Sequence, residues 1–440
     1  MNQRFFIVIC LFLLHYPAIS QRLTLQQCID SALTNNIGVK QNKLLVDVSE
    51  VNWRQSKANQ LPDLNANANH GINQGRSIDP FTNTYINQSI NYAGYGINSG
   101  VVLFNGMNLQ NTVRQNATAL EASKMELQQT KDNLVLNVIL AYLQVLNNED
   151  QLSSTSKQAE ISQKQLERLE ILDKQGAISP SQVSDVRGQL MNDQLAIVDL
   201  RSALENSKLN LTQLMNVPYN KSIVLERIDV NQMLERYAES SSDIYQNALQ
   251  QFSQVKAVEL RTRSAEYALK AAKGQLYPTV SLSGNVQTNY SSAAQNAGRK
   301  IAYNEQLGNN VFSGLNLGVR IPIFNGFQVK NRIRLADIEL KNNELIEENT
   351  KIQLRQQIQQ AYLNMTNAYE RYKVLLEQVK AYEQSFRAAE ARFNGGVGNS
   401  VDFLIAKNNL DRANINLISA TYDYALRTKI LDYYNGKELK

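Results

Sequence analysis

Two tripeptides recur along this chain at one fixed distance. Phe104-Asn105-Gly106 returns as Phe324-Asn325-Gly326, and Ala141-Tyr142-Leu143 returns as Ala361-Tyr362-Leu363. The offset is 220 in both cases (324 − 104 and 361 − 141). A constant separation over such a distance marks a duplicated unit, and a repeat constrains the fold before any other feature. Each copy reads helix, strand, loop, strand, very long helix, tight turn, shorter helix.

The long helices carry apolar residues every seven positions. One stripe is Val113, Leu120, Leu127, Leu134 and Ala141; a second continues through Val138, Val145, Leu152, Ala159 and Leu166. Shifted by 220, the stripes reappear as Ile333, Leu340, Glu347, Leu354, Ala361 and as Ile358, Met365, Tyr372, Val379, Phe386, with only Glu347 out of character. The shorter helices repeat likewise, Val183, Leu190, Ile197, Leu204 and Leu211 matching Phe403, Leu410, Leu417, Tyr424 and Leu431. Sustained seven-residue spacing is the pattern of left-handed supercoiled helices. At ~1.5 Å per residue, 108–175 spans roughly 100 Å, whereas 180–214 and 25–60 span about 50 Å each. Two half-length helices end to end therefore flank one full-length helix, and the second copy offers the same set in 328–394, 400–434 and 243–274. The outcome is a tall cylinder of antiparallel helices.

Four segments have a period of two. In the clearest, Leu315, Leu317, Val319, Ile321 and Ile323 alternate with Asn316, Gly318, Arg320 and Pro322. The predicted strands lie at about 62–74, 88–104, 277–290 and 312–324, each long enough for the ~9–11 residues of a tilted membrane strand. Arg320 alternates with the apolar face and is expected to face a lumen. Four strands cannot close a barrel, and open edges are not tolerated in lipid. Two chains would give eight strands around a filled interior and three would give twelve around a water-filled passage, so a channel implies a homotrimer.

The expected organisation is a leader over 1–20, a first repeat over 21–214, a mid-height linker lying outside the helices over 215–242, a second repeat over 243–434 and a tail over 435–440. The leader reading rests on Arg4, the apolar run from Phe5 to Leu14 and the small-residue site Ala18-Ile19-Ser20. The formal net charge of +5 is too mild to argue for nucleic acid. Cys10 lies in the leader, which leaves Cys28 alone, so no disulfide forms within the mature chain; Cys28 reads as a helix-face thiol. With His70 as the one histidine after the leader, most general-base and metal chemistry is absent, and no catalytic residue, cofactor or metal site is expected. Gly94-Tyr95-Gly96 lacks the following Lys of a phosphate-binding loop. Energy for any transport must come from a partner. A periplasmic coiled-coil scaffold without a channel is the rival reading; it explains the heptads but not the alternating segments.

The chain resembles the TolC family of outer-membrane efflux proteins. The resemblance is carried by Leu23 to Leu33, by Leu61-Pro62 and Tyr277-Pro278 opening strands, by Phe-Asn-Gly closing them, and by Arg392-Phe393 through Gly396 with Val401-Asp402-Phe403-Leu404 and Ala406. It implies a mostly α fold with membrane β: as a trimer, a 12-stranded outer-membrane β-barrel on a long α-helical coiled-coil periplasmic tunnel. It implies a passive exit duct for small toxic molecules or proteins, docked to a periplasmic adaptor and an inner-membrane pump of the resistance-nodulation-division or ABC type. It assigns adaptor docking to the hairpin tips, here Gly176, Ser179 and Pro180 in the first and Gly396, Val397, Gly398 and Asp402 in the second. It makes acidic residues near the tip, Glu383 and Glu390 with Arg387 between them, candidates for a gate.

Overall fold

The computed structural model describes residues 22–78, 83–87, 89–230 and 234–437; the expected leader and the last three residues of the expected tail lie outside them. In chain order the elements are α1 (Leu25–Asn35), α2 (Ile37–Ala58), β1 (Asp63–Asn73), β2 (Arg76–Ile78), β3 (Tyr85–Asn87), β4 (Ile90–Phe104), α3 (Asn108–Lys174), α4 (Pro180–Met215), α5 (Ser241–Gln251), α6 (Ser253–Gly274), β5 (Thr279–Ser291), β6 (Gln295–Asn296), β7 (Arg299–Lys300), α7 (Tyr303–Asn309), β8 (Phe312–Arg320), α8 (Gln328–Asn394) and α9 (Ser400–Tyr434).

The duplication has two offsets. α3 and α8 are both 67 residues long and start 220 apart, whereas α1 and α5, α2 and α6, and β1 and β5 start 216 apart. The four additional residues fall in the loop between β5 and β8. Two expected element bounds need correction. The half-length helices 25–60 and 243–274 are each two helices, broken at Asn36 and at Phe252, where an extended residue (ψ 126° and 122°) caps the first piece. Both first pieces open with a capping box, Thr24 with Gln27 and Ser240 with Asp243, which satisfies otherwise orphaned backbone donors. The last strand stops at Arg320 instead of running to 324, because Pro322 has no N–H for the ladder. Compact units cut across the repeats: one takes residues up to Lys43, Glu126–Lys256 and Thr350 onward, and the other takes Leu44–Met125 and Ala257–Asn349.

The second of these units holds a four-stranded antiparallel sheet ordered β1-β4-β5-β8. Asp63, Gly100, Ser283 and Asn316 lie side by side across it. Because side chains alternate along a strand, this register sorts the sheet into two faces. Leu64, Ile97, Val286, Leu315, Leu317 and Val319 share one face, and all are exposed, Leu315 by 78 %. Asn65, Asn67, Asn98, Asn285, Asn316 and Arg320 share the other. Of the described residues, none pairs with the outer edges of β1 and β8.

The first unit is helical and carries three apolar clusters. The seven-residue stripes run through all three: Leu134, Val138, Val145, Leu166, Leu354, Ile358, Met365 and Phe386 are buried. The segment 215–242, expected as a linker outside the helices, contributes to this core. Leu225 is 2 % exposed and bridges Leu23 in parallel, with Leu23 N donating to the Val224 carbonyl at 2.9 Å and Glu226 N to the Leu23 carbonyl at 3.0 Å. Tyr142 sits beneath this bridge and donates from its hydroxyl to the carbonyls of Glu226 (2.6 Å) and Leu23 (3.1 Å).

Candidate functional site

The two helical hairpin tips are exposed turns of the helical unit. At the first, α3 ends with Ala177 N donating to the Leu172 carbonyl (2.9 Å) and Gly176 at φ +67°. At the second, Val397 N donates to the Arg392 carbonyl (3.1 Å) and Gly396 sits at φ +75°. These are the same helix stop 220 residues apart, and each needs a left-handed residue, which glycine supplies without a Cβ clash. Ser179 caps α4 through a bond from Ser181 N, with Pro180 in the first turn. Asn399 caps α9 by accepting from Asp402 N at 2.7 Å, and the Asp402 carboxylate lies in the positive first turn. A Cβ on Gly398 would stand 3.1 Å from Phe393 N, so that residue is small because the turn closes on it. Val397 projects outward, 81 % exposed.

The tips belong to one body. The Arg168 guanidinium donates to the Asn394 carbonyl at 2.8 Å and to its side-chain oxygen, and the Ser400 hydroxyl donates to Asp185 Oδ2 at 3.0 Å. Beneath them Phe403 is 1 % exposed, its ring stacked on Phe393 with centroids 4.9 Å apart. A groove of about 590 Å³ runs between the two turns, floored by Leu169, Leu172 and Phe393.

The structure brings Glu383 and Arg387 together as an exposed ion pair one turn apart on α8. Glu390 lies half-buried a turn further on and does not share that pair. Arg320 is at the end of β8 opposite Thr279, on the asparagine-rich face.

One cluster escaped the sequence reading. Lys407 on α9, 2 % exposed, places its ammonium 3.0 Å from Asp193 on α4 and 2.6 Å from Asp411. Asp193 also accepts from Ser162 of α3 and from Gln189 at 2.7 Å. Burial pushes the Asp411 carboxyl upward, against the opposing pull of Lys407. Lys407 and Asp411 stand at helical i,i+4 spacing, a visible signal, but i,i+4 pairs are usually surface pairs, and only packing against α4 makes this one buried. Cys28 is fully buried, and burial pushes its thiol up to about 11, so it is a core residue and an inert one.

No helix among the described residues is long and apolar enough to cross a membrane. A family model described as "Outer membrane efflux protein" matches residues 28–217 and 244–433. Both bounds of the second match lie 216 beyond those of the first (244 − 28 and 433 − 217). The chain is 24 % identical to the outer membrane protein TolC of Vibrio cholerae over 84 % of this chain and 81 % of that one. Its fold is similar to the Campylobacter jejuni CmeC outer membrane channel (TM-score 0.79, 16 % identity, 94 % of this chain and 85 % of that one). It is also similar to the outer membrane protein VceC of Vibrio cholerae (TM-score 0.77, 16 % identity, 94 % and 97 %).

Proposed function

Since the chain belongs to the outer membrane efflux protein family, we propose that three copies close one twelve-stranded barrel in the outer membrane. The barrel continues into a helical tunnel that crosses the periplasm, and together they form a passive exit duct. The observation that carries this reading is the sheet: four strands, one exposed apolar face, one asparagine-rich face, and two unpaired edges. Hydrocarbon matches the apolar face, but each unpaired backbone group in it costs several kcal/mol, so the edges must be closed by other copies. Two copies would leave an interior filled by side chains; three leave a water-filled bore. Arg320 and the asparagines line that bore.

In this reading the tips carry recognition. Gly176, Ser179 and Pro180, with Gly396, Val397, Gly398 and Asp402, present two short turns to a periplasmic adaptor, which couples the duct to an inner-membrane pump of the resistance-nodulation-division or ABC type. Rigid backbone turns suit docking because little entropy is lost on binding. Glu383, Arg387 and Glu390, one to three turns above the tip, form the charged constriction that sets ion preference. The cargo is a small toxic molecule or a protein; a soluble scaffold would have no use for the exposed apolar sheet.

The test pairs a bilayer with a cell. Purified protein should have the mass of three chains in detergent and conduct ions in a planar membrane. Val397→Arg, at an exposed position, should keep both properties yet reduce export in cells to that of a strain lacking the protein. A non-conducting wild type would overturn the duct; normal export by the variant would remove the tip from docking.

A further inference from the structure

The two hairpins of the sheet are in equivalent register. Asp63 faces Gly100 in the first and Thr279 faces Arg320 in the second, which are the same positions under the offsets 216 (279 − 63) and 220 (320 − 100). The hairpins therefore present equivalent edges. Inside the chain, the outgoing edge of the first hairpin, β4, pairs with the incoming edge of the second, β5. We infer that this internal junction is the template for the junction between copies, β8 of one chain pairing with β1 of the next. This rests on the three-copy reading and goes beyond it by fixing the register.

Carrying the internal pairs across gives the contacts. Gly100 with Ser283 becomes Arg320 with Asn67 of the next copy. Asn98 with Asn285 becomes Gly318 with Asn69, Gly96 with Gln287 becomes Asn316 with Gly71, and Gly94 with Asn289 becomes Gly314 with Asn73. Three of these four pairs set a glycine against an asparagine. The same size rule operates within the chain: Asn69 fills the space beside Gly94, Asn67 that beside Gly96, and Asn285 that beside Gly314. On the opposite face the register sets Val319 against Ala68 and Leu315 against Ile72, apolar on apolar. A slip of two residues keeps the faces but sets Gly314 against Gly71 and Asn316 against Asn69, losing the size complementarity on the bore side.

A second observation comes from the turn after each hairpin. Gly106 (φ +66°) lies so close to the end of α6 that a Cβ would stand 2.2 Å from the Gly274 carbonyl and 2.9 Å from the Tyr277 side chain. Its duplicate, Gly326 (φ +61°), has the same backbone but nothing within 4 Å. Under the offset of 216, Gly274 and Tyr277 correspond to Ala58 and Leu61. The space beside Gly326 is thus the seat for Leu61 of the neighbouring copy, with Ala58 standing slightly further out than Gly274 does, because a Cβ at Gly274 would come within 2.5 Å of the Gly106 carbonyl. Phe324 and Phe327 on one side and Leu61 on the other, exposed by 75 %, 59 % and 67 % in one copy, would cover each other.

The register has a metric consequence. Asn316, level with Asp63 of its own copy, faces Gly71 of the next, a stagger of eight residues (71 − 63) over four strands. With strand rise and spacing of about 3.4 and 4.8 Å, the strands tilt by about 55°, steeper than the common 35–45°.

Cysteine pairs read the register directly, because a disulfide needs Cα atoms about 4.4–6.8 Å apart and opposed strand residues meet that range. In a Cys28→Ala background, Arg320→Cys with Asn67→Cys should oxidise to a covalent ladder ending at the trimer. Gly318→Cys with Asn69→Cys should do the same, and Arg320→Cys with Asn65→Cys, displaced by one pleat, should give several-fold less. A stronger 320–65 ladder, or no ladder from any pair in material whose native mass is three chains, overturns this register and leaves the three-copy reading intact. A native mass of one chain overturns both.

Discussion

The two copies of the repeat share a backbone and differ in how they hold it. Their long helices have the same length, their tips the same helix stop, and their first helices the same break and the same capping box. The side chains at equivalent positions have parted. Lys407 is buried between two carboxylates, while its counterpart Arg187 is an exposed partner of Glu170. In the first copy Tyr142 anchors the mid-height segment from the long helix; Tyr362 at the equivalent place is half-buried, and the second copy anchors Glu235 from Tyr424 on the short helix, its hydroxyl 2.6 Å from that carbonyl. Duplication preserved what the backbone requires, and each copy then solved its own packing.

Matched substitutions break or sharpen this comparison. The largest difference is expected at 407 against 187. Lys407→Met leaves Asp193 and Asp411 buried beside one another without their cation, a loss of about 3–5 kcal/mol; Arg187→Met removes an exposed pair worth at most about 1 kcal/mol. Denaturant unfolding of the detergent-solubilised protein reads both, and equal losses would refute the asymmetry. Next comes the tyrosine pair. Tyr142→Phe takes the hydroxyl from the Glu226 carbonyl, while the Leu23 carbonyl keeps its bond from Glu226 N, and should cost about 1 kcal/mol, whereas Tyr362→Phe should stay within about 0.5 kcal/mol; protease sensitivity of 215–230 should rise only in the first variant. The smallest difference belongs to the tips. Gly176→Ala and Gly396→Ala both force alanine into a left-handed conformation and should each cost about 1–2 kcal/mol, equal within error. A clear inequality would show that the two stops are not equivalent.

Much of this was legible in the chain. The heptads located the buried faces because supercoiled helices must bury one stripe whatever their partners. Leu315, Leu317 and Val319 announced a sheet face that alternation alone defines. Other features were hidden for identifiable reasons. Asn36 and Phe252 interrupt helices without glycine or proline, so composition gives no warning. The segment 215–242 looked like an external link because its apolar residues, Ile223, Leu225 and Ile228, have no period; only its pairing with Leu23 shows it as core. At the candidate site, the tip glycines and caps follow from local turn chemistry. The separation of Glu390 from the Glu383–Arg387 pair does not, since it depends on what packs beside α8.

By itself the sequence determined the repeat, the helix and strand periods, the tip turns and the membership of an efflux family, because each is set by the local backbone or by a pattern along one element. The tertiary structure decided which charges are buried, where the helices break, and which sheet edges are left open with glycine facing asparagine across the strands. Those depend on residues far apart in the chain meeting in space, and a one-dimensional pattern carries no record of such meetings.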